Sequence, residues 1–217
     1  MLTGTGLTRG MVKKGKFITF EGIDGSGKST QIVPVVDFLR ERGRNVLLLR
    51  EPGGTAISES IREVLLATKH REMTQETELL LFAAARAQIV REKIAPALAE
   101  GTWVICDRFM DSTTAYQGYG RDLAPEFIRK LNAFAVGECV PDLTIYVDID
   151  IETAQARLRE RAGKSDRLDQ AGEAFMRRVR DGYLAIARED KERIAVIDGT
   201  KSVPEVTEDI LSVLRRT

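Results

Sequence analysis

The sequence has little of what metal centres, disulfide scaffolds, membrane spans and polyanion binders are built from. Its 217 residues include one histidine and two cysteines. His70 stands among charged residues with no partner histidine, which reads as a surface residue and not a metal ligand. Cys106 ends the apolar run Trp103-Val104-Ile105-Cys106 and reads as a buried thiol. With Cys139 it makes neither a disulfide framework nor a zinc pattern. Apolar runs are short: the longest, Leu79 to Ala85, is stopped by Arg86, well below the roughly 18 residues of a membrane span. No charge excess exists either, because 33 Lys and Arg balance 33 Asp and Glu. That balance argues against a nucleic-acid partner but leaves room for local basic clusters. Met1 to Lys16 is rich in Gly, Thr and Lys and lacks the apolar core of a signal peptide, so a cytoplasmic address is expected. Residues 1–15 are expected to be a disordered arm, with Met11 an alternative start, and residues 16–217 a single domain.

What is present is an alternation of short apolar runs and helical patterns. Strands are expected at Phe17 to Glu21, Val46 to Leu49, Thr102 to Cys106, Leu143 to Val147 and Ile194 to Ile197. Helices are expected at Lys28 to Arg42, with a kink at Pro34, at Ser58 to Leu66, and at Gln75 to Ala99, where Pro96 bends or ends a long helix. Further helices are expected at Ile151 to Arg161 and Glu173 to Asp190. Ser202-Val203-Pro204-Glu205 has the form of a capping box opening a last helix to Arg215. The alternation predicts an α/β fold, a parallel sheet with helices on both faces.

Gly22-Ile23-Asp24-Gly25-Ser26-Gly27-Lys28-Ser29 fits G-x-x-x-x-G-K-[ST], between an expected strand and an expected helix. Glycines let backbone N–H groups turn onto phosphate oxygens, and the helix N-terminus adds its positive dipole end. Lys28 is expected to reach the β- and γ-phosphates of a nucleotide and the Ser29 hydroxyl to bind Mg²⁺. The bland alternative is a glycine-rich turn that binds nothing. A guanine-nucleotide switch needs an Asn-Lys-x-Asp motif, and the chain has no Asn-Lys pair. A mechanical ATPase usually shows a strand ending Asp-Glu, whereas here the strand ends Asp107-Arg108, which suits the grip of a small phosphorylated acceptor.

The sequence resembles the thymidylate kinase family of P-loop nucleoside monophosphate kinases from about Lys16 onward. The resemblance is carried by Phe20 to Thr30, by Arg50-Glu51-Pro52-Gly53-Gly54-Thr55, by Leu81-Phe82-Ala83-Ala84-Ala85-Arg86, and by Asp107-Arg108-Phe109 with Ala115-Tyr116-Gln117-Gly118. The phosphate loop is shared by many enzymes; the Glu-Pro-Gly-Gly-Thr and Tyr-Gln-Gly pieces, in this order, are more specific. The resemblance implies a five-stranded parallel sheet, a homodimer, and transfer of the γ-phosphate of ATP to dTMP. The alternatives are another P-loop nucleotide or nucleoside kinase, or a P-loop switch or binding module.

The same resemblance distributes roles. ATP would lie on Gly22, Ile23, Asp24, Gly25, Ser26, Gly27, Lys28, Ser29 and Thr30, with its adenine near Gly199 and Lys201. Phe82 would stack on thymine and Arg86, one turn on, would hydrogen-bond a thymine carbonyl. For Phe82 alone, ordinary core packing is the competing reading. Arg108 would bind the dTMP phosphate bidentately, Asp107 would hold Mg²⁺ through water, and Asp24 would lie near the metal and the acceptor sugar. Thr113 and Gln117 match readers of the base edge. Tyr116 would border the sugar or simply pack, Glu51 would face the acceptor or shape the turn before Pro52, and Arg62 would grip phosphate or be an exposed helix charge. The Arg-rich stretch at about 157–169 matches a mobile lid, or else a solvated face. Since the phosphate loop carries no arginine, the lid would supply the catalytic one, Arg161 first and Arg157 second, with Arg167 closing the lid or contacting ATP.

Overall fold

The computed structural model describes residues 15–160, 167–168 and 172–216. Five strands, β1 (Phe17–Glu21), β2 (Val46–Arg50), β3 (Trp103–Asp107), β4 (Leu143–Asp148) and β5 (Ile194–Asp198), form one sheet in the order β2-β3-β1-β4-β5. Every pairing is parallel. The central strands β1 and β4 are buried almost throughout, while edge strand β2 is half open. A strand covered on both faces needs apolar residues in succession, and that is why Phe17-Ile18-Thr19-Phe20 reads as a run and not as an alternation.

The pleat still sorts the side chains. Ile18, Phe20, Ile105 and Ile145 face α1 (Lys28–Glu41) and α9 (Val203–Leu214), meeting Ile32, Val35, Leu39, Val206 and Ile210. Phe17, Val104 and Cys106 face the other way, against Ile89, Val90, Ile94 and Phe109. On that same side Tyr146 meets Phe175, Val179 and Tyr183 of α8 (Glu173–Glu189). Cys106 is fully buried, as its apolar setting implies. Gly15 already belongs to the fold: its N–H donates to the Leu98 carbonyl at 3.0 Å.

Several elements depart from expectation. The span expected as one helix is α3 (Gln75–Ile89), a π turn (Val90–Ile94) and α4 (Ala95–Ala99). Pro96 lacks an N–H, and its ring crowds the carbonyl four residues earlier. The wider turn just before it moves that carbonyl aside. Helix α1 spans Lys28–Glu41 with Pro34 inside it, as the expected continuous helix does. Between β3 and β4, where periodicity assigns nothing, stand α5 (Met110–Thr113), a π turn (Thr114–Gly120) and α6 (Pro125–Val136). The helix α2 (Ala56–Leu66) opens on Thr55, whose hydroxyl accepts from Ser58 N at 3.1 Å. The capping box at Ser202 and Glu205 is formed as expected.

Candidate active site

All five strands point the same way, so five loops gather at one edge of the sheet. β1 neighbours both β3 and β4. The connection from β1 runs to β2 on one side while that from β3 crosses to β4 on the other, which opens a crevice at the carboxyl ends of the strands. A cavity of about 470 Å³ lies there. It is lined by the phosphate loop and α1 start (Asp24, Gly25, Gly27, Lys28, Ser29, Thr30), by Glu51 and Arg62, by Phe82, by Asp107 and Arg108, by Thr113, Tyr116 and Gln117, and by Arg157 of α7 (Ile151–Glu160). Residues from across the whole chain thus converge on one space.

The phosphate loop closes tightly. Gly22, Gly25 and Gly27 all have φ between +85° and +143°. A Cβ at Gly22 would sit 2.6 Å from the Val147 carbonyl oxygen. Ser26 is buried beneath the loop, and Lys28 Nζ donates to the carbonyls of Gly22 at 2.8 Å and Ile23 at 3.1 Å. Burial, with Arg108 nearby, lowers the Lys28 ammonium to about 8. Ser29 Oγ donates to Asp107 Oδ2 at 3.1 Å. These two oxygens, side by side at the loop, suit a hard cation such as Mg²⁺, which takes one or two protein oxygens and completes its shell with phosphates and water.

Arg108 bridges the phosphate loop and the segment after β3. Its Nη2 donates to Asp24 Oδ1 at 3.0 Å and Tyr116 Oη at 3.2 Å; its Nη1 donates to Ser112 Oγ and Tyr183 Oη. Against burial, which would raise it, Arg108 and Lys28 hold Asp24 down at about 2. Arg108 has φ 68, a left-handed backbone that costs a non-glycine residue roughly 1–2 kcal/mol. Glu21 holds this turn. It accepts from Phe109 N at 2.8 Å, Ser112 Oγ at 2.6 Å and Tyr183 Oη at 2.8 Å.

Glu21 and Tyr183 were no part of the sequence-derived site. A carboxylate closing an apolar strand beside the phosphate loop was a signal for the first. Tyr183, 162 positions away from Glu21, offered none.

Arg86 lies behind the cavity wall, with only 1% of its surface exposed. It donates to Glu51 Oε2 at 2.8 Å, Thr113 Oγ1 at 2.8 Å, Asn132 Oδ1 at 3.0 Å and the Phe109 carbonyl at 3.1 Å. Glu51 Oε1 is buried at the cavity with no hydrogen-bond partner. Arg62 donates to the Pro52 carbonyl at 2.9 Å. Arg157 Nη2 donates to the Gly199 carbonyl at 2.9 Å, so α7 is tied to the loop after β5. Lys201 turns away to Asp209. Arg167 reaches the Leu65 carbonyl and Glu78 and contacts no phosphate-loop residue among its described bonds. Arg161 lies outside the described residues.

The comparisons agree on what such a site belongs to. Residues 20–210 match the family model described as thymidylate kinase. The chain is a member of the thymidylate kinase family. It is 48% identical over 195 residues to a thymidylate kinase of Kosmotoga olearia, covering 90% of this chain and 93% of that one. It is 49% identical over 194 residues to a thymidylate kinase of a Geobacillus species, covering 89% and 92%. The solved structure of thymidylate kinase from Ehrlichia chaffeensis superposes with a TM-score of 0.76 at 38% identity, covering 93% of this chain and 99% of that chain. A five-stranded parallel α/β fold is common ground.

Two buried carboxyls give this thymidylate kinase fold a pH signature. Glu21 is pushed up to about 7, by burial first and then by the charge of Asp111. Glu51 is also raised to about 7, because burial outweighs the attraction of Arg86. A group raised on folding contributes stability that is complete below its unfolded value and is lost as pH rises through its folded value. Asp24, held low, has already delivered its share above about pH 4. Unfolding free energy measured in urea is therefore expected to fall between pH 5 and pH 7.5, with proton uptake on folding. A flat or rising profile across that window would show that these carboxyls ionise normally in the fold.

Proposed function

We propose that this cavity is where the γ-phosphoryl group of ATP passes to dTMP, giving dTDP and ADP. The observation that carries the reading is continuity: one cavity joins Lys28 and Ser29 of the phosphate loop to Phe82, Thr113 and Gln117, with Arg108 between them. A phosphorylated acceptor laid along it places its phosphate at Arg108 and its base against Phe82. In this reading Phe82 stacks on thymine, Thr113 and Gln117 read the base edge, Tyr116 borders the sugar, and Arg62 and Glu51 line the acceptor entrance. The loop from Gly22 to Thr30 cradles the phosphates of ATP, with Gly199 near the adenine.

The acceptor phosphate needs no strong base. A phosphate monoester has a second pKa of about 6, so its dianion is already the nucleophile near neutral pH. The barrier is repulsion between two anions. Lys28, Arg108 and Arg157 supply positive charge along the transfer path and align the groups. When bound at Ser29 and Asp107, Mg²⁺ supplies further charge to the β- and γ-phosphates. Asp24 holds the Arg108 fork in place. The enzyme is cytoplasmic in this reading, and among the described residues no helix is long and apolar enough to cross a membrane.

A coupled assay of ADP release should show turnover that requires dTMP, with AMP, GMP and CMP poor acceptors. Faster turnover with AMP would point to a different nucleotide kinase, and ADP release independent of any acceptor would point to a switch or binding module.

Arg157 is the described lid-side arginine placed on the cavity, and Arg161 is its companion in the same test. Arginines that neutralise a transferring phosphoryl group are worth about 10³-fold or more in rate. Arg157→Ala is expected to lower single-turnover kcat at least a hundredfold while dTMP affinity stays within a few-fold. If both Arg157→Ala and Arg161→Ala transfer phosphate at near wild-type rates, the lid makes no such contribution.

The homodimer has its own observation. Helix α3 packs between α2 and α6, and this layer exposes Ile57, Leu80, Phe127 and Phe134, the last 74% exposed. Apolar side chains gathered so on adjacent helices mark a protein interface. A second copy of the chain is the occupant we propose. Light scattering should give a dimer for the wild type and a monomer for Phe134→Glu with Leu80→Glu; a wild-type monomer at micromolar concentration excludes the proposal.

A further inference from the structure

The groups proposed to read the base are neutral, and a neutral amide or hydroxyl does not by itself select one hydrogen-bond pattern. A glutamine can present either its carbonyl or its NH₂ to a ligand. Here the choice is made behind the cavity wall. Gln117 lines the cavity and donates through Nε2 to Glu78 Oε1 at 2.8 Å. Glu78 is 1% exposed and sits on α3, with Arg121 Nη2 at 3.1 Å and Arg167 Nη2 at 2.6 Å from its other oxygen. Burial alone would raise Glu78, but the hydrogen bonds from Arg121 and Gln117 and the charge of Arg121 outweigh it and hold the carboxyl below its usual range. An ionised carboxylate only accepts. The Gln117 NH₂ must therefore face Glu78, and the carbonyl is left for the cavity.

Thr113 is set from behind in the opposite sense. Arg86 Nη1 donates to Thr113 Oγ1 at 2.8 Å. A guanidinium has no acceptor, so Thr113 must accept from it and keeps its own O–H proton to donate elsewhere. The cavity wall thus offers a donor at Thr113 and an acceptor at Gln117.

We propose that Glu78 is a positioning residue for base selection, fixing the Gln117 amide so that the site accepts a pyrimidine edge bearing a carbonyl beside a ring N–H and rejects one bearing an amine beside a bare ring nitrogen. Thymine and uracil present the first edge; cytosine presents the second and meets a donor with a donor and an acceptor with an acceptor. The inference rests on the cavity being the acceptor site proposed above. Glu78 touches no substrate in this account; it acts through Gln117.

The test begins with wild-type enzyme and the ratio of kcat/KM for dTMP over dCMP. Absence of dTMP turnover at this stage would sink the functional reading and leave Glu78 aside. Given turnover, Glu78→Gln should lower the ratio by at least about tenfold, through a higher KM for dTMP, with the KM for ATP within twofold. A mismatched hydrogen-bonding group in a built polar site carries a penalty of this order or more. Arg121→Lys, which disturbs the same cluster but keeps a cation beside the carboxylate, should keep the ratio. In a Gln117→Met background, Glu78→Gln should change the ratio no further, because the two act as one unit. Should Glu78→Gln not fold, Glu78→Asp keeps the charge among the arginines, draws it one methylene back from Gln117, and is expected to lower the ratio likewise. An unchanged ratio in the folded Glu78 variant, an equal loss in Arg121→Lys, or additive losses in the Gln117→Met background would each overturn the proposal.

Discussion

Arg108 holds the site together, and its position is costly to maintain. Its backbone is left-handed at φ 68, and its guanidinium is only 17% exposed at the side chain. A cation so enclosed must be met by opposite charge and by oriented dipoles. Asp24 meets it from the phosphate loop, Tyr116 and Ser112 from the segment after β3, and Tyr183 from α8. Glu21 then ties the next backbone N–H and two of those hydroxyls together. The guanidinium therefore fixes the distance between the phosphate loop and the segment after β3, and α8 is part of the same lattice although it lies far along the chain.

The sheet makes this crowding possible. Parallel strands deliver every loop at one edge, and the crossover of order at β1 separates the loops after β1 and β3 only by one strand spacing. Arg108 N itself donates to the Phe20 carbonyl at 2.9 Å, continuing the β1–β3 ladder into the site. The catalytic geometry is in that sense an extension of sheet register. Phosphate-loop glycines matter for the same reason: at Gly25 a Cβ would meet the Ala154 carbonyl oxygen at 2.7 Å, so α7 could not approach, and Arg157 rides on α7.

What could be read from the sequence follows from which signals are local. Strands buried on both faces leave contiguous apolar runs, and the five expected strands lie within about one residue of those observed. The phosphate loop was legible because its residues stand at fixed local spacing, whereas Thr113 and Gln117 were named only through the family resemblance. The segment from Met110 to Val136 was not, because π turns have no period of their own and α6 begins at a proline that reads equally well as a breaker. Glu78 and Tyr183 were missed for a different reason. Each matters through partners 39 to 162 positions away, and no local pattern encodes such a pair. Arg86, which the resemblance assigns to the base, donates to Glu51, Thr113, Asn132 and Phe109 on three other segments that meet it only after folding.

Glu78 and Arg86 stand one layer behind the cavity for a reason that sets them apart from the charges lining it. Beside the phosphate loop, Lys28, Arg108 and Arg157 line the wall themselves, an arrangement that suits a diffuse anion. Farther along, the wall is Phe82, Thr113 and Gln117, and full charges stand one layer back as Glu78 and Arg86. A charge in contact with a neutral base would be desolvated without an equal partner. The same charge behind a neutral amide or hydroxyl stays paired, by Arg121 and Arg167 for Glu78 and by Glu51 for Arg86, while still dictating which way its neighbour donates. Cations for phosphate at the surface and opposed ion pairs for polarity beneath it are two uses of the same residue types, separated by one side-chain length.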